Sequence, residues 1–357
     1  MNNVHIKGDG LAGMLAVNLF NKYYNVTCSH EAPPFDVGVS NTLGLFKQLR
    51  GVNNPSYADL EKYNGLIKLG VSKEGFGKNN YFMSFTPPEV SVQFNSVDFI
   101  NFLKDINNDV QYIDGHNISN DSIIIDCSGY ANLDDNYQYI KVPVNTVLGY
   151  TYNYTYPEFQ HTKLIAGKYG YISMIPTKNK CFVSYIFNKE ITNEETIAKE
   201  LGITDYKIFN FKSYYHKNAV KNYINGNKAF FIEPFEATSV DGYLKINELI
   251  LNIERYGVDK IEANNAYLYY IQEATEVIMM HYLAGSKYKN DFWLHAKDIS
   301  EDYFKNKVSE NFINRILKID KPYIETEPSY FYSDKGWEFN VMNLNVKEKL
   351  LKLLPHQ

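Results

Sequence analysis

The start of the chain narrows its possible folds more than any other stretch. Val4-His5-Ile6 reads as a short buried strand, Gly8-Asp9-Gly10-Leu11-Ala12-Gly13 spells G-x-G-x-x-G, and an apolar run continues to Phe20 with no further glycine or proline. Strand, glycine turn and helix in this order are the setting in which the motif has physical meaning. The glycines permit a tight turn, close approach of backbone to a pyrophosphate and close packing of helix on strand, while the helix start faces the phosphates. A dinucleotide site at Gly8, Gly10, Leu11, Ala12 and Gly13 is therefore expected, in an α/β fold. Asn25-Val26-Thr27-Cys28 reads as the second strand, and Glu31, one residue past His30, lies near the place for a carboxylate that holds a ribose hydroxyl.

A second segment carries chemistry of its own. The strand-like run Ala229-Phe230-Phe231-Ile232 enters Glu233-Pro234, where proline removes a donor and biases Glu233 to extended backbone, so the chain must turn. Glu236, Thr238 and Ser239 follow, and then an apolar-periodic helix through Val240, Tyr243, Leu244 and Ile246. Free N–H groups at that helix start, with the Thr238 and Ser239 hydroxyls, suit an anion. The same residues taken alone also suit an ordinary N-cap.

Composition removes other classes. At 357 residues the chain can bury an ample core without disulfide or metal staples. A net charge of −5 and the lack of any Lys/Arg block argue against a nucleic-acid partner. Cys28, Cys127 and Cys181 show no C-x-x-C spacing and read as buried thiols of a reducing, cytoplasmic compartment. The chain opens almost at once on a structural strand, leaving no room for a signal peptide, and holds no apolar stretch long enough to span a membrane. His281 and His295 lack partners at ligand spacing, so no metal is expected, and no G-x-S-x-G elbow supports acyl transfer.

Taken in order along the chain, these marks resemble the flavin-dependent halogenases of the tryptophan halogenase family. Gly8 to Gly13 is similar to that family's FAD pyrophosphate loop, and Ile67-Lys68-Leu69-Gly70-Val71 to the segment carrying its catalytic lysine. Ile125-Asp126-Cys127-Ser128-Gly129 resembles a strand end and glycine turn that again approach the flavin dinucleotide. Gly170 to Pro176 stands at the family's Trp-x-Trp-x-Ile-Pro motif, Phe231 to Ser239 at its Phe-x-Glu-Pro-Leu-Glu-Ser/Ala-Thr segment, and His281-Tyr282 with Phe292-Trp293 at its late aromatic pairs. The resemblance runs from about residue 4 to about residue 295 and then fades. In departures from the pattern, Tyr171 and Ser173 replace both tryptophans, Val39 stands where glutamate is usual, and Asn227 after Gly226 replaces an aspartate that serves the ribityl chain. The chain is also short for the family between Pro176 and Gly226.

The resemblance implies an FAD-binding Rossmann-like module of the glutathione-reductase and aromatic-hydroxylase type, with an interleaved antiparallel β-sheet as substrate layer and C-terminal helices. The module is expected to be discontinuous, over 1–50, 95–145 and 215–290, with the substrate layer at 51–94 and 146–214 and a helical cover at 291–357. Implied cofactor contacts are Gly8, Gly10, Leu11, Ala12, Gly13, Glu31, Asp126, Gly129, Gly226 and Asn227. FADH2 from a separate NAD(P)H-dependent flavin reductase would react with O2 to a flavin hydroperoxide, and halide (chloride, bromide or iodide) held at Thr238 and Ser239 would become hypohalous acid. Lys68 would pass this oxidant to a small electron-rich aromatic substrate beside Tyr171, Ser173, Ile175 and Pro176, with Glu236 polarising the acid or removing the arene proton. Bromide or iodide is expected to be favoured. An FAD-dependent aromatic monooxygenase and a non-catalytic FAD-binding protein stay open beside this reading, as does a homo-oligomer.

Overall fold

The structure is a computed structural model that describes residues 3–30, 36–41, 45, 49, 56–77, 80–85, 91–114, 118–129, 131–153, 158–235, 238–319 and 334–353. Asn3–Lys7 is an inner strand of a four-stranded parallel sheet, between Asn25–Ser29 and Ile123–Asp126, with Gln111–Tyr112 beyond Asn25–Ser29. Val4 and Ile6 are fully buried, as expected where helices cover a parallel sheet. Helix Leu11–Phe20 packs back on this sheet with every residue from Ala12 to Phe20 buried, which is why its sequence is apolar all round. A distant piece completes the layer: Ile224 bridges Asp126 in parallel, and the Asn225 N–H donates to the Asp126 carbonyl at 2.9 Å. Gly226 is thereby delivered to the carboxyl ends of the strands, where open α/β sheets take ligands. The chain thus forms the expected mixed α/β fold around a Rossmann-like sheet.

His5 is the polar exception in the first strand. It is fully buried, its Nδ1 shares a hydrogen bond with Thr27 Oγ1 at 3.0 Å, and its Nε2 has no partner among the described residues. Burial, aided by Lys7, lowers its pKa. An imidazole with a lowered folded-state pKa binds fewer protons folded than unfolded, so it subtracts stability as pH falls below the ordinary value of about 6.5. His5→Val will therefore gain on the wild type in thermal melts as pH drops below that value, by at most about 1.4 kcal/mol per pH unit.

The expected second layer is a seven-stranded sheet in the order Lys207–Asn210, Thr146–Asn153, Lys180–Phe187, Gly170–Pro176, Thr162–Ala166, Gly70–Glu74, Tyr81–Ser84. Neighbours are antiparallel except Thr162–Ala166 with Gly70–Glu74. The β-rich run Val90–Phe94, whose sequence suggests a further strand of this layer, does not belong to it. Its strand, Ser91–Asn95, is buried at every residue and lies between Gly38–Ser40 and Leu66–Lys68 in a separate three-stranded sheet. A polar seam ties the two sheets, with Gln93 Nε2 donating to Thr162 Oγ1 at 2.8 Å and Thr162 Oγ1 to Ser40 Oγ at 3.2 Å.

Two long helices, Thr238–Tyr256 and Lys260–Ala284, pack on each other, and the former also packs on Leu11–Phe20. Within the helical cover, the sequence suggests one helix beginning at Ser300 and running to about Leu317; the structure has two, Asp291–Asn306 and Glu310–Lys318. Ser300 donates back to the Lys297 carbonyl inside the first, and the caps are Asn290 and Ser309. A last helix over Val346 to Leu354 is suggested by the sequence as the end of that cover, and the structure has Lys347–Leu353. Among the described residues no helix is long and apolar enough to cross a membrane.

Candidate active site

The glycine loop is built as the motif demands. Gly8 has φ +104°, and an added Cβ would lie 2.6 Å from the Cys127 carbonyl oxygen; at Gly13 it would lie 1.8 Å from the Gly8 carbonyl oxygen. A Cβ at Gly10, the N-cap of Leu11–Phe20, meets nothing within 4 Å. Two of the glycines thus serve the fold, while the third keeps open space at the helix start, where a phosphate would sit. Asp9, between them, is buried, and its carboxylate accepts from Lys104 Nζ and His30 Nδ1, each at 2.7 Å. The His30 ring stacks on Tyr112 with centroids 4.7 Å apart. Glu31, the expected ribose carboxylate, lies outside the described residues.

Gly226 meets this loop from the other side: its φ is +70°, and an added Cβ would stand 2.9 Å from the Ala12 side chain. Asn227 Oδ1 accepts from the Tyr243 hydroxyl at 2.6 Å, so its side-chain amide is held at a fixed angle. Asp126 is organised differently from the sequence expectation. Its carboxylate accepts from Lys228 Nζ at 2.6 Å and from the Ser128 N–H and hydroxyl at 3.1 and 2.6 Å. Burial alone would raise its pKa, but these hydrogen bonds outweigh burial and hold it below the ordinary value. Asp126 therefore braces the turn that carries Gly129, where an added Cβ would meet nothing within 4 Å. Lys228 is a site residue missed in the sequence; its signal was a cation two positions after the glycine of the 226 turn.

At the Glu-Pro turn, the Phe235 N–H donates to the Glu233 carbonyl at 2.8 Å and the Thr238 N–H to the Phe235 carbonyl at 3.4 Å. The chain then starts helix Thr238–Tyr256. Thr238 is 1% exposed, and its hydroxyl has no hydrogen-bond partner among the described residues, while the Tyr270 hydroxyl donates to its carbonyl at 2.5 Å. Ser239 beside it is half-buried. Glu236 lies outside the described residues.

Glu233 is 0% exposed, and the Tyr282 hydroxyl donates to its two oxygens at 3.0 and 3.2 Å. Burial pushes its pKa up to about 8 against the opposing pull of the Tyr282 and Tyr171 hydroxyls, so at neutral pH it is mainly the uncharged acid. Around it stand aromatic rings from segments far apart in sequence. Tyr171 meets Phe235 at 4.9 Å between centroids, Phe76 meets Phe235 at 6.1 Å and Trp293 at 6.1 Å, and Tyr282 meets Trp293 at 6.5 Å. Trp293 Nε1 donates to the Gly167 carbonyl at 2.9 Å. Four segments picked out by the motif resemblance thus converge on one carboxyl.

This placement revises the pocket expected on strand Gly170–Pro176. Tyr171 is fully buried with its hydroxyl acting on Glu233, so it is part of the packed cluster rather than a wall open to solvent. Ser173 and Ile175 share its face by strand alternation. Pro176 has the parity of Ile172 and Met174, which pack with Cys181 and Val183 on the opposite face, so it cannot line the same pocket.

Lys68 closes strand Leu66–Lys68 opposite Ser91 and is 4% exposed, not solvated as an ordinary strand lysine would be. Its Nζ lies 5.1 Å from the centroid of the Phe85 ring. The sheet that carries it packs against Gly170–Pro176. His281 is buried: Nδ1 donates to the Val277 carbonyl at 2.7 Å and Nε2 accepts from Lys73 Nζ at 2.8 Å, while its ring stands 4.6 Å from that of Phe235. Lys73, fully buried and also donating to Asn340 Oδ1 at 3.0 Å, had no sequence signal beyond its place in a strand.

A sequence model of the tryptophan halogenase family matches residues 90–348, continuing past the point where the motif resemblance was expected to fade. No curated protein matches the chain. Among solved structures the chain is similar to BrvH, a flavin-dependent halogenase from Brevundimonas sp. BAL3 (TM-score 0.77, 14% identity, covering 100% of this chain and 91% of that one). It is similar also to Xcc4156, a flavin-dependent halogenase from Xanthomonas campestris (TM-score 0.76, 14% identity, 99% and 97% covered). A tryptophan halogenase from Shewanella frigidimarina NCIMB 400 gives TM-score 0.77 at 13% identity, with 99% and 93% covered. Identities this low establish the fold alone.

Proposed function

The chain belongs to the tryptophan halogenase family, and we propose that it uses reduced FAD, O2 and a halide ion to halogenate a small electron-rich aromatic compound of the indole or phenol kind. Bound reduced FAD would supply, with O2, the oxidising power that turns halide into hypohalous acid, and a separate NAD(P)H-dependent flavin reductase would renew it. The residues present fit that cofactor: the open space at Gly10 and the free N–H groups of Leu11–Phe20 suit a pyrophosphate, and the Gly226–Asn227 edge presents an oriented amide beside them. Thr238 and Ser239 would hold the halide, and Ser173 and Ile175 would face the arene. Lys68 would direct the oxidant, and Glu236 would polarise it or take the arene proton. Three buried free thiols fit a reducing, cytoplasmic setting.

The observation that carries this reading is the buried Thr238 hydroxyl at the start of a 19-residue helix, which has no hydrogen-bond partner among the described residues. A buried donor left unpaired is costly, and an anion at the helix start would satisfy it. The direct test supplies FADH2, O2 and bromide with a phenol or an indole and follows the isotope pattern of the product. Thr238→Val will raise the halide concentration needed for half-maximal rate by roughly tenfold or more, the worth of a hydrogen bond to a charged group, with FAD affinity unchanged. An unaltered halide requirement would move the halide elsewhere.

Halide choice follows from the same burial. An anion must shed water to reach Thr238, which penalises compact chloride more than bromide or iodide. In an equimolar mixture of chloride and bromide, the brominated product will dominate. Dominant chlorination would show that fixed donors in the site repay chloride's hydration in full.

A further inference from the structure

We propose that this chain has a second small-molecule site, a cavity on another side of helix Lys260–Ala284 that takes an aromatic carboxylate. The cavity holds about 560 Å³, within the range of small-molecule pockets. It lies between helices Lys260–Ala284 and Asp291–Asn306 and the small sheet in which strands Tyr137–Tyr139 and Tyr214–His216 pair. None of the described residues that line it belongs to the glycine loop, the Gly226 turn or the Glu-Pro turn, so the proposal stands independently of the halogenase reading.

The periodicity of strand and helix keeps the two places apart. On the sheet, the Tyr137 and Tyr214 hydroxyls donate to the Lys228 and Asn227 carbonyls at 3.1 and 2.8 Å, so one face braces the Gly226 turn. Gln138 and Tyr215, opposite each other in register, point to the other face and line the cavity. On helix Lys260–Ala284, the Tyr267 and Tyr270 hydroxyls donate to the Ala229 and Thr238 carbonyls at 3.1 and 2.5 Å. Leu268, Gln272 and Thr275 occupy a different side of the same helix and line the cavity.

The lining sorts by depth into what a ring and what a carboxylate would need. Ile271 and Ile299, 3% and 5% exposed, give an apolar base with Leu268, and the Thr275 hydroxyl is already donated to the Ile271 carbonyl at 2.8 Å. Above them stand the phenols of Tyr215 and Tyr303, whose hydroxyls have no hydrogen-bond partner among the described residues. Burial raises both phenols above the ordinary value of about 10, so they stay O–H donors. At the mouth Lys141 and Lys307 are exposed, and neither has an ion-pair partner among the described residues. Asp302, an acid on the wall, accepts from Asn306 Nδ2 at 2.9 Å along its own helix. Aliphatic and phenolic walls suit a flat ring, and phenol and ammonium donors above it suit a carboxylate. Neither an arginine nor a helix start, the usual holders of phosphate, lines the cavity among the described residues.

The test titrates the purified protein, without flavin, with three probes in a calorimeter. 2-Naphthoate carries both rings and charge, 2-naphthamide keeps the rings and shape without the charge, and decanoate keeps the charge without the rings. 2-Naphthoate should bind roughly tenfold tighter than either control, the worth of a hydrogen bond to a charged group. Replacing Lys141→Gln and Lys307→Gln together should erase its advantage over 2-naphthamide, while the melting temperature and FAD binding hold. Leu268→Trp, which fills the cavity from the helix side, should abolish binding of both naphthalenes; if that variant does not fold, the exposed lysine pair decides alone. No binding of 2-naphthoate, or binding unaltered by loss of both lysines, overturns the site. Equal binding of 2-naphthamide removes the carboxylate from the ligand, and equal binding of decanoate removes the ring; either overturns the proposal. Each of these results leaves the halogenase reading intact, because FAD binding is measured separately on the same preparations.

Discussion

Lys68→Ala will still bind FAD and consume O2, while halogenated product falls by about a hundredfold or more, the scale on which a positioned proton- or group-transferring side chain acts. Lys68 sits on a strand of the small sheet that packs against Gly170–Pro176, away from the glycine loop and the 226 turn, so its loss leaves the cofactor contacts alone. It is also 4% exposed, with its Nζ 5.1 Å from the centroid of the Phe85 ring, so it acts from the interior and not from the solvent surface. Without the amine, oxidant would form and escape, so added hypohalite scavenger should erase the residual product of the variant and spare that of the wild type. Lys68→Met keeps the bulk of the side chain and should behave like Lys68→Ala; a Met variant that halogenates normally with scavenger present would end the relay role.

How much of this was visible beforehand differs from residue to residue. The strand–glycine–helix start was legible because most of its logic is local: Gly8 turns the chain at φ +104°, and a side chain at Gly13 would strike the Gly8 carbonyl five residues back. The start of the helix at Thr238 was legible for the same reason, since a proline four residues earlier forces the turn. Glu233 was not, because sequence offers it only the role of turning the chain at Pro234. Its burial and its Tyr282 and Tyr171 partners arise from segments dozens of residues away. Asp126 was assigned to the cofactor because nothing local foretells that Lys228, about a hundred residues on, would occupy its carboxylate. The strand Ser91–Asn95 was put in the wrong sheet since an apolar run states that it is buried without naming its neighbours. Ser300 misled in the opposite way: serine favours helix starts, yet a serine bonding to the carbonyl three residues back sits comfortably inside one.

The glycine loop offers the sharpest separation of fold from function. Gly13→Val places a side chain where even the first carbon would lie 1.8 Å from the Gly8 carbonyl oxygen, so helix Leu11–Phe20 must leave the sheet and the protein should fail to fold. Gly10→Val is different. The backbone there is already extended, at φ −71° and ψ −174°, which suits a β-branched residue, and an added Cβ meets no atom within 4 Å. Loss of a favourable N-cap residue costs on the order of 1 kcal/mol, too little to unfold a chain of this size. Yet the valine methyl groups would occupy the space through which a pyrophosphate reaches the helix N–H groups. Gly10→Val should therefore melt within a few degrees of the wild type while FAD binding, followed by quenching of flavin fluorescence, disappears. A folded Gly10→Val protein with unchanged FAD affinity would place the dinucleotide away from this loop, and the chemistry assigned to Lys68 and Thr238 would then lack its source of oxidant.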